Sequence, residues 1–436
     1  MSLMTDTEAA VATAAQHEEH GCRVVISAGL LNDRDPSADE VLVRFARLDG
    51  GEVYSALPGV EGWPTVCGVI RSVEDSVPAG TEEPPPCGAD CHVQILAREG
   101  EEPAVPADAF VLAAGRWRRA TLDVVPVRDQ LFSRSKGLLE SDRLSRAWVL
   151  TAGLGSGGAP IPLGLSQAGV SNHMIVDDDV LEVCNVARHP AGLRHVGRKK
   201  VHVLRDMITQ INPYATVETR AEAIGWRNLE SWRAWVRRAD VVIAATGDRT
   251  ATQVLNRLCI EKGKTMIVGG AFRRAYGGQV LMVRPGSGPC YECFLRTLPR
   301  EAKDQEIGGR RQAARIAYAD RPVPIEPGLA NDIAPISQFM IKLAIQQLIR
   351  GHAGSLASLD EDLTAPLFQW FNRRERDTTY ERLPPLGCGV NGLRVLRWQG
   401  IDLPRDPACP ACVDLTAGVA ARHDVEVHDA DTALFG

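Results

Sequence analysis

The sequence predicts an α/β fold: a Rossmann-like, doubly wound and mainly parallel sheet behind an N-terminal β-rich or α+β accessory domain. Two observations carry this. From about Val127, short apolar strands alternate with helix-length segments, the pattern of βαβ units. Before that point, residues 21–126 hold only short strand-like runs, separated by turn-rich stretches such as Glu82-Glu83-Pro84-Pro85-Pro86. The chain is long enough, at 436 residues with 44% hydrophobic content, to bury its cores without disulfide staples.

The first 20 residues are small, polar and acidic, and read as a flexible tail. Strands are expected at Arg23–Leu30, Glu40–Arg47, Pro64–Arg71, His92–Ala97 and Ala109–Ala114 in the accessory domain, 21–126. In the second domain, 127–413, strands are expected at Ala147–Ala152, His173–Val176, Ala215–Thr219, Asp240–Ala245, Lys264–Val268, Gly277–Val283, Leu367–Phe371 and Leu393–Trp398. Helices are expected from the glycine-rich turn to about Ala168, at Lys199–Ile211, at Ala251–Lys262 and from about Asp332. Residues 414–436 read as a flexible acidic tail.

Gly153-Leu154-Gly155-Ser156-Gly157-Gly158 follows a strand and opens a helix, in the spacing G-x-G-x-x-G. The glycines permit a tight turn and a close backbone approach to phosphate, with the helix N-terminus favouring negative charge. Asp177, at the end of the next strand, is placed to accept from ribose hydroxyls. On these residues alone, an NAD- or FAD-binding domain fits equally well. Asp178, Asp179, Asn185, Arg188 and Lys200 then follow in order. Two cations beyond the glycine loop suit a ligand with more phosphate charge than a dinucleotide, namely a nucleoside triphosphate.

This ordered set resembles the superfamily of ThiF, MoeB and the ubiquitin-activating enzymes, with the look of a bacterial ubiquitin-like-protein-activating member. The motifs are GLGSGG (Gly153–Gly158), DDDVLEVCNVARHP (Asp177–Pro190), VGRKK (Val196–Lys200), INP (Ile211–Pro213) and DVVIAATGD (Asp240–Asp248). After them come VLNRLCIEKGK (Val254–Lys264), paired glycines at Gly269–Gly270 and Gly277–Gly278, CYEC (Cys290–Cys293) and CPAC (Cys409–Cys412). The resemblance implies an adenylyltransferase that uses ATP and Mg²⁺ to activate the C-terminal glycine carboxylate of a ubiquitin-like or sulfur-carrier protein. Transfer to a thiol or a conjugating enzyme can follow. It implies Asp177 on the ribose, Arg188 and Lys200 on the phosphates, and Asn185 and Asp179 lining the pocket. Arg134 resembles an arginine that reaches across a dimer interface, which implies a homodimer, or a pseudo-dimer with a second adenylation-type fold.

Three departures stand out. The family's T-D-N/D step reads Thr246-Gly247-Asp248 here, so Asp248 is the candidate Mg²⁺-side carboxylate. Cys184 stands where Ser or Leu is usual and is expected to be packed. The loop Phe294–Pro327, where many relatives carry the thiol that receives the activated chain, has no cysteine; either the protein stops at the adenylate or it borrows a thiol from elsewhere, with Cys388, between two glycines, the best internal candidate. The glycine pairs at 269–270 and 277–278 either leave a slot for a Gly-Gly tail or serve as turn glycines. Two C-x-x-C knuckles, Cys290/Cys293 and Cys409/Cys412, read as a tetrahedral structural Zn²⁺ site, a pairing the resemblance supports. Cys87-Gly-Ala-Asp-Cys91-His92 reads as a surface turn.

A net charge of −6, with no basic run, argues against nucleic acid as a partner. No apolar run reaches membrane-spanning length. Eleven cysteines without a secretory signal point to reduced thiols in the cytoplasm. The competing readings are a non-catalytic adenylation-like scaffold, motivated by Gly247 and the missing loop cysteine, and a nicotinamide-dependent oxidoreductase, motivated by the glycine loop alone.

Overall fold

The computed structural model describes residues 22–32, 40–49, 52–58, 63–73, 84, 91–98, 107–135, 137–138, 141–298, 327–352, 354, 356–376, 381 and 395–412. Both expected tails and Cys388 lie outside the described residues. The chain divides into two compact units, Met1–Arg134 and Ser135–Gly436.

The first unit is a closed barrel of seven strands: β1 (Arg23–Ser27), β2 (Glu40–Leu48), β3 (Val53–Ala56), β4 (Thr65–Val73), β5 (Cys91–Arg98), β6 (Ala107–Ala113) and β7 (Arg116–Val125). A short helix, α1 (Ala28–Asn32), follows β1. The order around the barrel is β1-β3-β2-β4-β5-β6-β7, and β1 closes it by pairing in parallel with both β3 and β7. Alternate residues point inward, as the two-residue period of a strand requires. In β5, Val93, Ile95 and Ala97 all enter the core beside Val24, Ile26 and Phe45. Gly68 is needed where β4 crosses the Phe45 ring, because a Cβ there would lie 2.6 Å from Phe45 Cε2. Cys91 is a buried strand residue of β5 rather than part of a surface turn; its neighbour Cys87 lies outside the described residues.

The second unit is an eight-stranded sheet in the order β10-β9-β8-β11-β12-β13-β14-β15. Strands β8 (Trp148–Ala152), β9 (Asn172–Val176), β10 (Thr216–Arg220), β11 (Val241–Ala244) and β12 (Thr265–Ala271) run parallel. Strands β13 (Gly277–Val283), β14 (Leu367–Phe371) and β15 (Trp398–Ile401) extend it antiparallel. The helices are α2 (Ser141–Arg146), α3 (Pro160–Gln167), α4 (Lys200–Ile211), α5 (Leu229–Arg238), α6 (Arg249–Lys262), α7 (Tyr291–Thr297) and α8 (Ala330–Ile349).

Both faces of this sheet are covered, which is why its strands are apolar at consecutive positions. Leu150, Val242 and Met266 face one core with Trp232, Trp235, Val254 and Leu258 of α5 and α6. Their neighbours Val149, Ile243 and Ile267 face the other, with Ile161 and Leu165 of α3 and Met340, Leu343 and Ala344 of α8. The α/β, doubly wound expectation therefore holds. Of the strand expected at Leu393–Trp398, residues 393–394 lie outside the described residues, 395–396 form a turn, and β15 starts at Trp398. Strands β3 and β7 and helices α1, α2, α5 and α7 fall outside the expected elements, and Ala28–Leu30, expected as the end of the first strand, opens α1 instead.

Candidate nucleotide-binding site

Sheet order reverses at β8: β9 and β10 lie on one side of it, β11 and β12 on the other. Loops leaving the carboxyl ends of strands at such a reversal part to opposite faces and open a crevice. The glycine loop stands there. Gly153 adopts φ +87°, and its N–H donates to Val176 O at 2.8 Å. A Cβ on Gly153 would strike Ala245 O, and one on Gly158 would strike Gly153 O. These two glycines are therefore fixed by backbone packing. At Gly155 a Cβ would meet nothing within 4 Å, so this residue leaves the open side of the turn bare.

The end of β9 is tied to this loop. Leu154 N–H donates to Asp177 Oδ2 at 2.6 Å, and Asp179 N–H donates to Asp177 Oδ1 at 2.8 Å. Lys200, the first residue of α4, is almost fully buried. Its Nζ lies 2.8 Å from Asp179 Oδ2 and 3.9 Å from Asp177 Oδ1. Burial pushes the Asp177 carboxyl above its ordinary range, against the pull of Lys200 and the two N–H donors. Lys199 Nζ donates to Asp178 O at 2.7 Å. The sequence thus brings Gly153, Gly155, Gly158, Asp177, Asp179 and Lys200 to one edge, with carboxylates and cations interleaved.

His189 is a part of this edge that sequence reasoning passed over. Its Nε2–H donates to Leu154 O at 3.1 Å and its Nδ1 accepts from Ala191 N–H at 3.1 Å, an arrangement only neutral imidazole satisfies. Burial, with Lys200 nearby, lowers its pKa to about 4. No periodic or spacing signal marks it, because its partners are backbone groups of a distant loop.

Asn185 closes the turn Val183–Asn185, its Oδ1 accepting from Glu182 N–H at 3.0 Å. Arg188 follows with its N–H on Asn185 O. Its guanidinium extends toward Gly328, where a Cβ would lie 3.7 Å from Nη1. Cys184 is exposed, not packed: its Sγ points to Glu182 Oε2 at 3.5 Å, because the turn at Val183–Asn185 faces outward. Arg134 is exposed on the turn Ser133–Ser135.

On the far side of the loop, Gly247 adopts φ +61°, a conformation that an aspartate would enter only with strain. Asp248 caps α6, its Oδ1 accepting from Ala251 N–H at 3.2 Å. Helix α8 seals the loop: Ser337 Oγ donates to Gly157 O at 2.6 Å. The paired glycines serve mostly packing. A Cβ on Gly269 would collide with Met340 Sδ, one on Gly277 with Trp370 O, and one on Gly278 would lie 2.7 Å from Ile336 Cδ1; only at Gly270 is there open space. The tail-slot reading thus narrows to Gly270.

Cys290, Cys293, Cys409 and Cys412 are all buried, and their ligand atoms lie within 4.8 Å of one another. Sγ separations are 3.8 Å for 290–293, 3.6 Å for 290–409 and 3.5 Å for 293–412. A tetrahedron with Zn–S bonds of about 2.3 Å has edges of about 3.8 Å, so the four thiols are compatible with one tetrahedral zinc ion.

A doubly wound sheet with a glycine loop, an acidic strand end and a buried lysine at its switch point has the form of an α/β domain of the nucleotide-binding class. Residues 128–376 match the ThiF family, over half of the chain, and the chain belongs to that family. Curated relatives include the "Adenylyltransferase and sulfurtransferase UBA4" of Candida albicans, 32% identical over 165 residues, 37% of each chain. The "Adenylyltransferase and sulfurtransferase MOCS3" of Sus scrofa is 32% identical over 177 residues, 39% of this chain and 36% of that one. The chain spans less than two-fifths of the length of these relatives. Among solved structures, E. coli MccB with ATP matches at 17% identity and TM-score 0.44, covering 62% of this chain and 68% of that chain. Among the described residues, no helix is long and apolar enough to cross a membrane.

Proposed function

We propose that the chain uses ATP and Mg²⁺ to adenylate the C-terminal glycine carboxylate of a ubiquitin-like or sulfur-carrier protein. The observation that carries this reading is the buried Lys200 held between Asp177 and Asp179 beneath the glycine loop, in a chain of the ThiF family. Asp177 orients the ribose, Gly155 lets backbone N–H groups approach phosphate, and Lys200 and Arg188 neutralise phosphate oxygens. Asp248 and the Asp177–Asp179 cluster are the carboxylates available to Mg²⁺.

The reaction asks little of the protein beyond placement. An α-carboxyl, with a pKa of about 3.5, is already ionised at neutral pH, so it attacks the α-phosphorus without a general base. Pyrophosphate leaves as its charge is met by lysine, arginine and metal. The problem is to hold two anions together, and interleaved cations and carboxylates are a means of doing so.

In the same reading, zinc bound by the four cysteines fastens the C-terminal segment to α7 and performs no chemistry. The barrel recruits partners, and Arg134 reaches the site of a second copy in a homodimer. Incubation with Mg²⁺, ATP and a small protein ending in glycine, read by mass spectrometry, should yield an AMP adduct of the carrier. Arg188→Ala and Lys200→Ala should abolish the adduct; an adduct that persists in both overturns the site assignment.

A further inference from the structure

Away from the glycine loop, α8 and the last two strands border an open cleft of about 540 Å³. Its wall is aromatic. The Trp398 ring stacks on Phe339 with centroids 4.0 Å apart and planes at 19°, and Phe368 meets Phe339 edge-on at 4.8 Å. Gly400 lets the floor pack closely on Ala365, because a Cβ there would lie 3.0 Å from Ala365 Cβ. Strand β15 is the last of the sheet and, among the described residues, pairs only with β14.

The charge on this cleft has one sign. Asp362, ending the helical turn Leu359–Asp362, and Asp402, just past β15, both line it, and among the described residues no basic side chain does. Both are exposed, and among the described residues neither carboxylate has an ion-pair or hydrogen-bond partner. An apolar occupant would desolvate these carboxylates without return. A compact ammonium holds its water strongly, whereas a guanidinium is planar and weakly hydrated. It stacks on an indole face while its N–H groups reach carboxylates.

We propose that this cleft receives an arginine side chain presented by a partner protein, stacked on the Trp398–Phe339 pair and neutralised by Asp362 and Asp402. None of these residues has a part in the nucleotide site, so the inference stands apart from the adenylation reading. The test titrates the full chain with the blocked peptide acetyl-Gly-Arg-Gly-amide by NMR, beside its citrulline and lysine counterparts. The arginine peptide should bind about tenfold or more tighter than either counterpart. Its affinity should fall by about the same factor in the Asp362→Asn/Asp402→Asn pair and in Trp398→Leu, with thermal melts showing each variant folded. Absence of binding by the unaltered chain, equal binding of the citrulline or lysine peptide, or unaltered affinity in the Asp362→Asn/Asp402→Asn pair would overturn it.

Discussion

The ammonium of Lys200 lies 2.8 Å from Asp179 Oδ2 and 3.9 Å from Asp177 Oδ1, in a site where the lysine side chain is 7% exposed. This one cation offsets two carboxylates at the place where phosphate charge is proposed to arrive. Replacing it with a neutral side chain of similar length leaves an uncompensated acidic pocket. Lys200→Met should weaken ATP·Mg²⁺ binding about a hundredfold or more by calorimetry. Binding within about threefold of the parent would contradict the role assigned to Lys200.

The glycine loop separates two kinds of glycine. Gly158→Ala drives a Cβ into Gly153 O and should cost roughly 3 kcal/mol or more in urea unfolding. Gly155→Ala meets open space, so stability should stay within about 0.5 kcal/mol while ATP affinity drops about tenfold. The reverse ranking of the two variants in stability would show that the turn is packed differently.

Acid should destabilise the second unit through two histidines. His173 and His189 both have their pKa lowered from 6.5 to about 4 by burial. Their neutral forms are the ones the fold accommodates, so the unfolded chain takes up protons first as pH falls. The stability they confer is complete above about pH 6.5 and is lost progressively down to about pH 4, by at most roughly 3 kcal/mol each. Urea melts across this window should show the decline, with a shallower slope in His189→Asn. A flat profile would refute it.

Metal removal tests the cysteine cluster. The purified chain should carry one zinc ion per chain, and exhaustive chelation should lower its stability by about 3 kcal/mol or more. Cys409→Ser should lose the metal and make the Arg405–Asp406 bond more open to trypsin. A chain that holds no metal and is indifferent to chelators would leave four packed thiols.

The sequence makes the central sheet legible because its strands are short, apolar and flanked by turn glycines: Gly277–Val283 and Leu367–Phe371 fall where the pattern places them. Strand β7 was hidden by arginines at 116, 118 and 119, which mask its alternation. Barrel closure is also unreadable locally, since β1 finds both its neighbours, β3 and β7, far along the chain. The acidic strand end and Lys200 were visible as motifs. Their mutual contact, and the neutral His189 bound to Leu154 O, depend on folding that no spacing rule encodes.

The adenylation reading faces its most direct test in exchange of labelled pyrophosphate into ATP. With Mg²⁺ and a carrier protein ending in glycine, exchange should occur with the unaltered chain. It should vanish when the carrier's terminal glycine is removed, and likewise in Arg188→Ala and Lys200→Ala. Exchange that is indifferent to the carrier's last residue, or that survives in both variants, would contradict the account.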